Sequence, residues 1–134
     1  MSEEEKALAD VVINMMEDRI EILEMAGYNS INTGVGGVYI WVGNIEIKSR
    51  HNLPYIKVRV ENTKKEFSMR IFDSEEAEIL TKNFNAKSVG LTSKIKKQLI
   101  EFVNLNLIIL TNHWSNPTEF DTMYLSRNLT PLKK

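Results

Sequence analysis

The spacing of hydrophobic and polar residues changes along the chain, and the changes mark out its elements. Over residues 3–26, Leu8, Val11, Val12, Met15, Met16, Ile20 and Leu23 recur at helical spacing, which predicts an amphipathic helix. Ser2 followed by Glu5 is a capping-box pattern for its start. Acids crowd its first turn, where the helix dipole favours them, and Gly27 is placed to end it. The Met-rich face of such a helix reads as core or interface. Residues 28–37 are rich in turn formers. The cluster Gly34, Gly36 and Gly37 leads into a strand pattern and not into a helix N-terminus, so it reads as an entry loop and not as a phosphate cradle.

The period then drops to two. Val38, Ile40 and Val42 alternate with Tyr39 and Trp41, and Ile45 and Ile47 alternate with Glu46 and Lys48. Ile56, Val58 and Val60 alternate with Tyr55, Lys57 and Arg59, and Phe67, Met69 and Ile71 make the last apolar set. Four such runs predict an antiparallel meander with one apolar face. The apolar parity flips across Gly43-Asn44. A two-residue type II′ hairpin turn there would set Val42 opposite Ile45, and a bulge would flip parity as well.

Helices are expected to cover the apolar face. A short one is predicted from a cap at Asp73 or Ser74 to Phe84, with Ala77, Leu80 and Phe84 inward. Residues 85–91 read as a loop. Thr92 then caps a long helix from Ser93 to Trp114, amphipathic at first through Ile95, Leu99, Phe102 and Val103. Residues 105–110 are apolar nearly all round, which fits a central helix or one shared with a second subunit. The tail, 115–134, carries Phe120, Met123, Tyr124, Leu125, Leu129 and Leu132 and is too apolar for free disorder. The expected class is α+β: a four-stranded antiparallel meander backed by helices, with an N-terminal helical extension. The expected organisation is an acidic helix over 1–27, a core domain over 28–114, and a tail over 115–134 packed on the core or on a neighbour.

Composition adds exclusions. A chain of 134 residues with 43% hydrophobic and 26% charged residues is ordinary for one globular domain. Cysteine is absent, so disulfide scaffolds and cysteine-ligated metal sites are ruled out. The longest apolar run is far shorter than the roughly 20 residues of a membrane span, and the acidic first residues are the opposite of a signal-peptide start. A cytoplasmic, prokaryotic protein without membrane contact is the default expectation. Net charge is −1, so no global field draws the chain to nucleic acid. The total hides blocks. Residues 1–27 carry eight acids against two bases, and residues 48–70 carry seven bases against two acids. A second acidic cluster at Asp73, Glu75, Glu76 and Glu78 is followed by a basic one at Lys82, Lys87, Lys94, Lys96 and Lys97. Two readings stand: the acidic helix and the basic sheet face each other or are both solvated, or the basic surface meets an anionic partner.

Residues 50–58, RHNLPYIKV, resemble the marker segment of a small bacterial family of unknown function, acid-His-Asn-Pro-Pro-His-x-His-Val. His51, Asn52, Pro54 and Val58 match it. Gly43 and the run Ile45–Lys48 sit where that family has its glycine turn and first strand. Leu80 and Asn83 fit its Leu-x-x-Asn, Gly90-Leu91 fits its Gly-Phe, and Val103, Asn106, Leu110 and Trp114 reproduce a further spacing. The resemblance spans about residues 40–114. Tyr55 and Lys57 stand in place of two family histidines, so metal or proton chemistry resting on those histidines is not open to this chain. Family members are often encoded beside another small protein, in pairs that look like toxin–antitoxin or mobile-element modules, which implies a partner-binding role.

The chemistry-bearing residues are sparse. His51 and His113 are the two histidines, and both read as structural. No metalloprotease, P-loop or nucleophile-elbow pattern is present, so no enzyme, metal or cofactor is expected. Two binding constellations remain. Tyr39, Trp41, Tyr55, Lys57, Arg59 and Arg70 share one sheet parity, and aromatics interleaved with bases can stack nucleobases and hold phosphates. The alternative is a half-solvated face laced with cross-strand ion pairs. Lys94, Lys96 and Lys97 crowd the start of the long helix, where cations oppose the dipole. A bound anion, or an acid from elsewhere in the fold, would relieve that. The favoured reading is a non-enzymatic protein–protein interaction module, one half of a two-component bacterial pair, that also forms a homodimer. A nucleic-acid-binding protein using the basic sheet face is the alternative.

Overall fold

The structure, a computed structural model, describes residues 2–6, 21–22, 24–47 and 52–133. It is an α+β fold built on one four-stranded sheet. The strands are β1 (Ala26–Tyr28), β2 (Val38–Val42), β3 (Tyr55–Val60) and β4 (Glu66–Arg70), each antiparallel to its neighbour in the order β1-β2-β3-β4. The helices are α1 (Ser30–Thr33), α2 (Ala86–Val89), α3 (Ser93–Leu105), α4 (Leu107–Ser115) and α5 (Thr122–Asn128). No described helix is long and apolar enough to cross a membrane.

Three of the four predicted runs, at 38–42, 55–60 and 67–71, supply strands of the meander; the run beginning at Ile45 does not, and the remaining strand comes from Ala26–Tyr28. Residues 3–6 and 21, 22 and 24 are helical, with the Glu5 N–H donating to Ser2 Oγ at the start. Residues 7–20 and 23, where most of the predicted apolar stripe falls, lie outside the described residues, as do Lys48, Arg50 and His51. The predicted helix does not reach residue 26, because Ala26–Tyr28 pairs with Val42–Ile40 as β1. Gly27 therefore serves a strand and not a helix end. A Cβ there would sit 2.7 Å from the Tyr39 ring, so the missing side chain lets the aromatic lie across the neighbouring strand.

Residues 45–47 form a turn and not a strand, which corrects the hairpin expected at Gly43-Asn44. Val42 pairs with Ile56. Beyond it the Asn44 side chain accepts from the Glu46 N–H, the Ile47 N–H returns to the Asn44 carbonyl, and the Ile45 N–H reaches the Trp114 carbonyl. The parity flip arises where the chain leaves the sheet. Ile47 is buried after the turn and Ile45 is exposed.

The segment 73–84 is not helical either. Ile79 bridges Met69, the Arg70 N–H donates to the Glu78 carbonyl, and the Leu80 N–H donates to the Ser68 carbonyl. The outer edge of β4 offers unpaired backbone groups, and this segment satisfies them at the expense of its own helix. Ala77, Ile79 and Phe84 still pack on the main core, while Leu80 packs on the opposite face of the sheet. Within the predicted loop 85–91, Asn85 caps the short α2 and Gly90 ends it in the left-handed region.

Thr92 caps α3 as expected, its hydroxyl accepting from the Ile95 N–H. The single long helix is nevertheless two, broken at Asn106. This residue is 1% exposed. Its Nδ2 donates to the Phe102 and Thr130 carbonyls and its Oδ1 accepts from the Thr130 N–H. A side chain with all of these partners inside the fold holds the break and ties down the tail. The tail folds onto its own domain. Leu125 is buried in the core, Leu129 and Leu132 pack against it, and the Leu132 N–H donates to the Thr33 carbonyl. Gly34, at φ +73°, lies so close to the Leu132 backbone that a Cβ would come within 2.3 Å of its carbonyl oxygen.

The main core lies between one sheet face and the C-terminal helices. Val38, Ile40, Val42, Ile56, Val58, Phe67 and Met69 meet Leu99, Phe102, Val103, Leu110 and Leu125.

Candidate functional site

The register places Tyr39, Trp41, Tyr55, Lys57, Arg59 and Arg70 on the second face of the sheet, through the pairs Tyr39↔Arg59, Trp41↔Lys57 and Tyr55↔Arg70. Sequence alternation predicts this grouping, but the centre of the face is covered. Met25, Ile47 and Trp114 close over Trp41 and Tyr55, with Ile22 and Leu80 beside them. Lys57 is 6% exposed. Its Nζ donates to Glu21 Oε2 at 2.8 Å, and the Tyr55 hydroxyl donates to Oε1 of the same carboxylate. An ammonium taken out of water needs such a counter-charge, and Glu21 provides it. Tyr55, Lys57 and Trp41 thus seal a second small core, which corrects the expectation of an open basic face at those three positions.

Arg59 and Arg70 remain at the margin. Arg70 pairs with Glu78 at 2.9 Å and lies over the Phe72 ring. Arg59 lies 5.2 Å over the Trp41 ring, with Glu66 3.8 Å away. Tyr39 is half-buried, its ring 4.6 Å from that of Trp41.

Arg59 also borders two hollows. One, of about 300 Å³, includes Tyr39, Asn29 and Asn62. The other, a cleft of about 680 Å³, lies between the β3–β4 turn and the segment 81–89. Among the described residues, Trp41 and Phe84 line it together with four cations, Arg59, Lys64, Lys65 and Lys82, against the single acid Glu66. The lysines are exposed, and no ion pair to any of the three is found among the described residues. Sequence reasoning did not bring these cations together. They belong to two separate basic blocks, and the only hint is that both blocks flank the return of β4.

The lysines at the start of α3 are placed differently. Lys94, Lys96 and Lys97 are all exposed. Lys96 and Lys97 border a shallow depression that Glu75 and Glu101 also line, although no ion pair joins them among the described residues. The Thr92 hydroxyl already takes one first-turn N–H.

His113 is buried in α4, its Nδ1 2.6 Å from the Phe120 carbonyl oxygen, which accepts the proton. That contact joins α4 to the tail. No cluster of three or more His, Asp or Glu side chains placed to hold a metal occurs among the described residues.

The last feature is apolar. Leu105 and Ile108, one on each side of the Asn106 break, are 54% and 72% exposed. Leu110 and Trp114 on the same elbow are buried. Comparison of the chain with family models, with curated proteins and with solved structures yields no match.

Proposed function

We propose that the chain is a non-enzymatic protein–protein interaction module that docks through the α3–α4 elbow, in the first instance onto a second copy of itself about a two-fold axis. The exposure of Leu105 and Ile108 carries this reading. They are three residues apart, and the tail that buries Leu125 and holds Asn106 leaves both uncovered. Burying what remains exposed of each would gain about 1–2 kcal/mol. Two-fold closure is the commonest arrangement for identical chains. A small protein encoded beside this one, as the family resemblance implies, is the alternative occupant of the same surface.

Light scattering at micromolar concentration tests the reading. The expected mass is twice the 15.5 kDa of the chain, falling to the single-chain mass in Ile108→Asp with the far-UV circular dichroism unchanged. A parent chain that stays monomeric rules out self-association.

A further inference from the structure

We infer that the cleft between the β3–β4 turn and residues 81–89 is a binding site for single-stranded nucleic acid, with Arg59 as its pivot. Three observations carry this. First, the charge is one-sided among the described residues: Arg59, Lys64, Lys65 and Lys82 converge on a hollow where Glu66 is the one acid in the described wall. The chain as a whole is near neutral, so the cations are gathered by the fold and not by composition. Their repulsion is relieved by a polyanion. Second, Arg59 Cζ lies 5.2 Å from the centroid of the Trp41 ring, within reach of a cation–π contact. A guanidinium held on an indole is a preformed platform on which a base can stack, with phosphates left to the lysines. Third, Arg59 is shared between this cleft and the smaller hollow beside Tyr39, Asn62 and the acid Glu61, where Arg59 is the one cation in the described wall. Two adjoining hollows joined at a stacking platform suit an extended strand better than one isolated phosphate. In the wall, Asn83 adds an amide able to bond base edges, while the Asn85 oxygen caps α2 and the Thr81 hydroxyl accepts from the Ser68 N–H.

This site shares no residue with the α3–α4 elbow, so the two readings stand or fall separately. It also differs from the open sheet face that the sequence suggests: Tyr55 and Lys57 play no part in it, and Trp41 enters only beneath Arg59.

Fluorescence anisotropy with a labelled short single-stranded oligonucleotide, as RNA and as DNA, tests the inference on the full chain. Binding should weaken linearly in log–log form with salt, with a slope of roughly −3 for four cation contacts. The exposed double variant Lys64→Glu/Lys82→Glu should lose tenfold or more in affinity and flatten the slope. Lys94→Glu/Lys97→Glu, which alters a different basic patch, should bind as the parent does. Ile108→Asp should still bind, which separates this site from the elbow. Tighter binding of RNA than DNA assigns a contact to the 2′-hydroxyl, and equal binding assigns recognition to bases and phosphates. No binding at low salt overturns the inference. So does equal loss in the two lysine double variants, which would mean diffuse attraction without a site. Polyglutamate of matched charge binding as tightly as the oligonucleotide would assign the cleft to an acidic protein and overturn it as well.

Discussion

The two faces of the sheet are closed by different physics. On one, Val38, Ile40, Val42, Ile56, Val58, Phe67 and Met69 meet apolar side chains from α3, α4 and α5. The contacts among these side chains are non-directional and depend on close packing. On the other, Trp41, Tyr55, Lys57 and Ser68 are buried too, yet each carries a polar group, and one of those groups is a full charge. On that face Glu21 sets its carboxylate against both the Lys57 ammonium and the Tyr55 hydroxyl. The first face supplies stability. The second imposes a particular docking of the N-terminal segment, because a shifted helix would leave a buried charge.

Substitutions sharpen that contrast, and their expected costs fall in order. Phe67→Ala, in the apolar face and edge-on to Phe84, should cost about 4 kcal/mol by urea denaturation, from lost burial and an unfilled cavity. Glu21→Leu should cost about 3 kcal/mol, because it withdraws the carboxylate from a buried ammonium. The double variant Glu21→Leu/Lys57→Met should recover most of the loss, which no partner change would do for Phe67→Ala. If the double variant is no better than the single one, the second face is not organised by its charge pair. Asn106→Leu is expected to cost about 2 kcal/mol, since it strands the Thr130 N–H and carbonyl. Limited proteolysis should then cut first in the tail.

Tyr28→Phe has the smallest effect, about 1 kcal/mol, from loss of the hydroxyl contact to Ser126. It also has a pH signature. Burial raises the Tyr28 phenol above its ordinary value, and the Ser126 hydrogen bond opposes this only in part. The folded chain therefore holds that proton more tightly than the unfolded chain. The resulting stability is fully present below about pH 10 and is lost as pH rises through the folded value. Thermal melts at rising alkaline pH should fall less steeply for Tyr28→Phe than for the parent. Equal slopes would show that the phenol does not contribute.

Strands β2, β3 and β4 were legible because period-two alternation is a local signal, and the first half of the long helix was legible for the same reason at period 3.6. Three readings failed where a partner outside the local window outweighed a local preference. Residues 26–28 are too short and glycine-containing to announce a strand, and they become one because the edge of β2 is free. Residues 73–84 have helical spacing, but β4 recruits residues 78–80 as an edge bridge. Asn106 sits in an apolar run that reads as uninterrupted helix, and its tail partner Thr130 lies 24 residues away. Among the candidate site residues, the shared parity of the six sheet positions was readable and their accessibility was not. Lys57 is an outward-facing base by pattern and a buried one in fact, because Glu21 lies 36 residues earlier in a run of acids that looks solvated.

By itself the sequence determined the α+β class, the antiparallel meander, the identity of the apolar sheet face and the caps at Ser2 and Thr92. Each follows from side-chain period or from hydrogen bonds spanning three residues, which are properties of a short stretch of chain. Only the tertiary structure decided which segment supplies the first strand, which charges are withdrawn into the Glu21–Lys57–Tyr55 contact, and which cations gather around Arg59. Burial and charge pairing depend on what arrives from distant parts of the chain, and one side-chain pattern can be solvated or sealed according to the group that covers it.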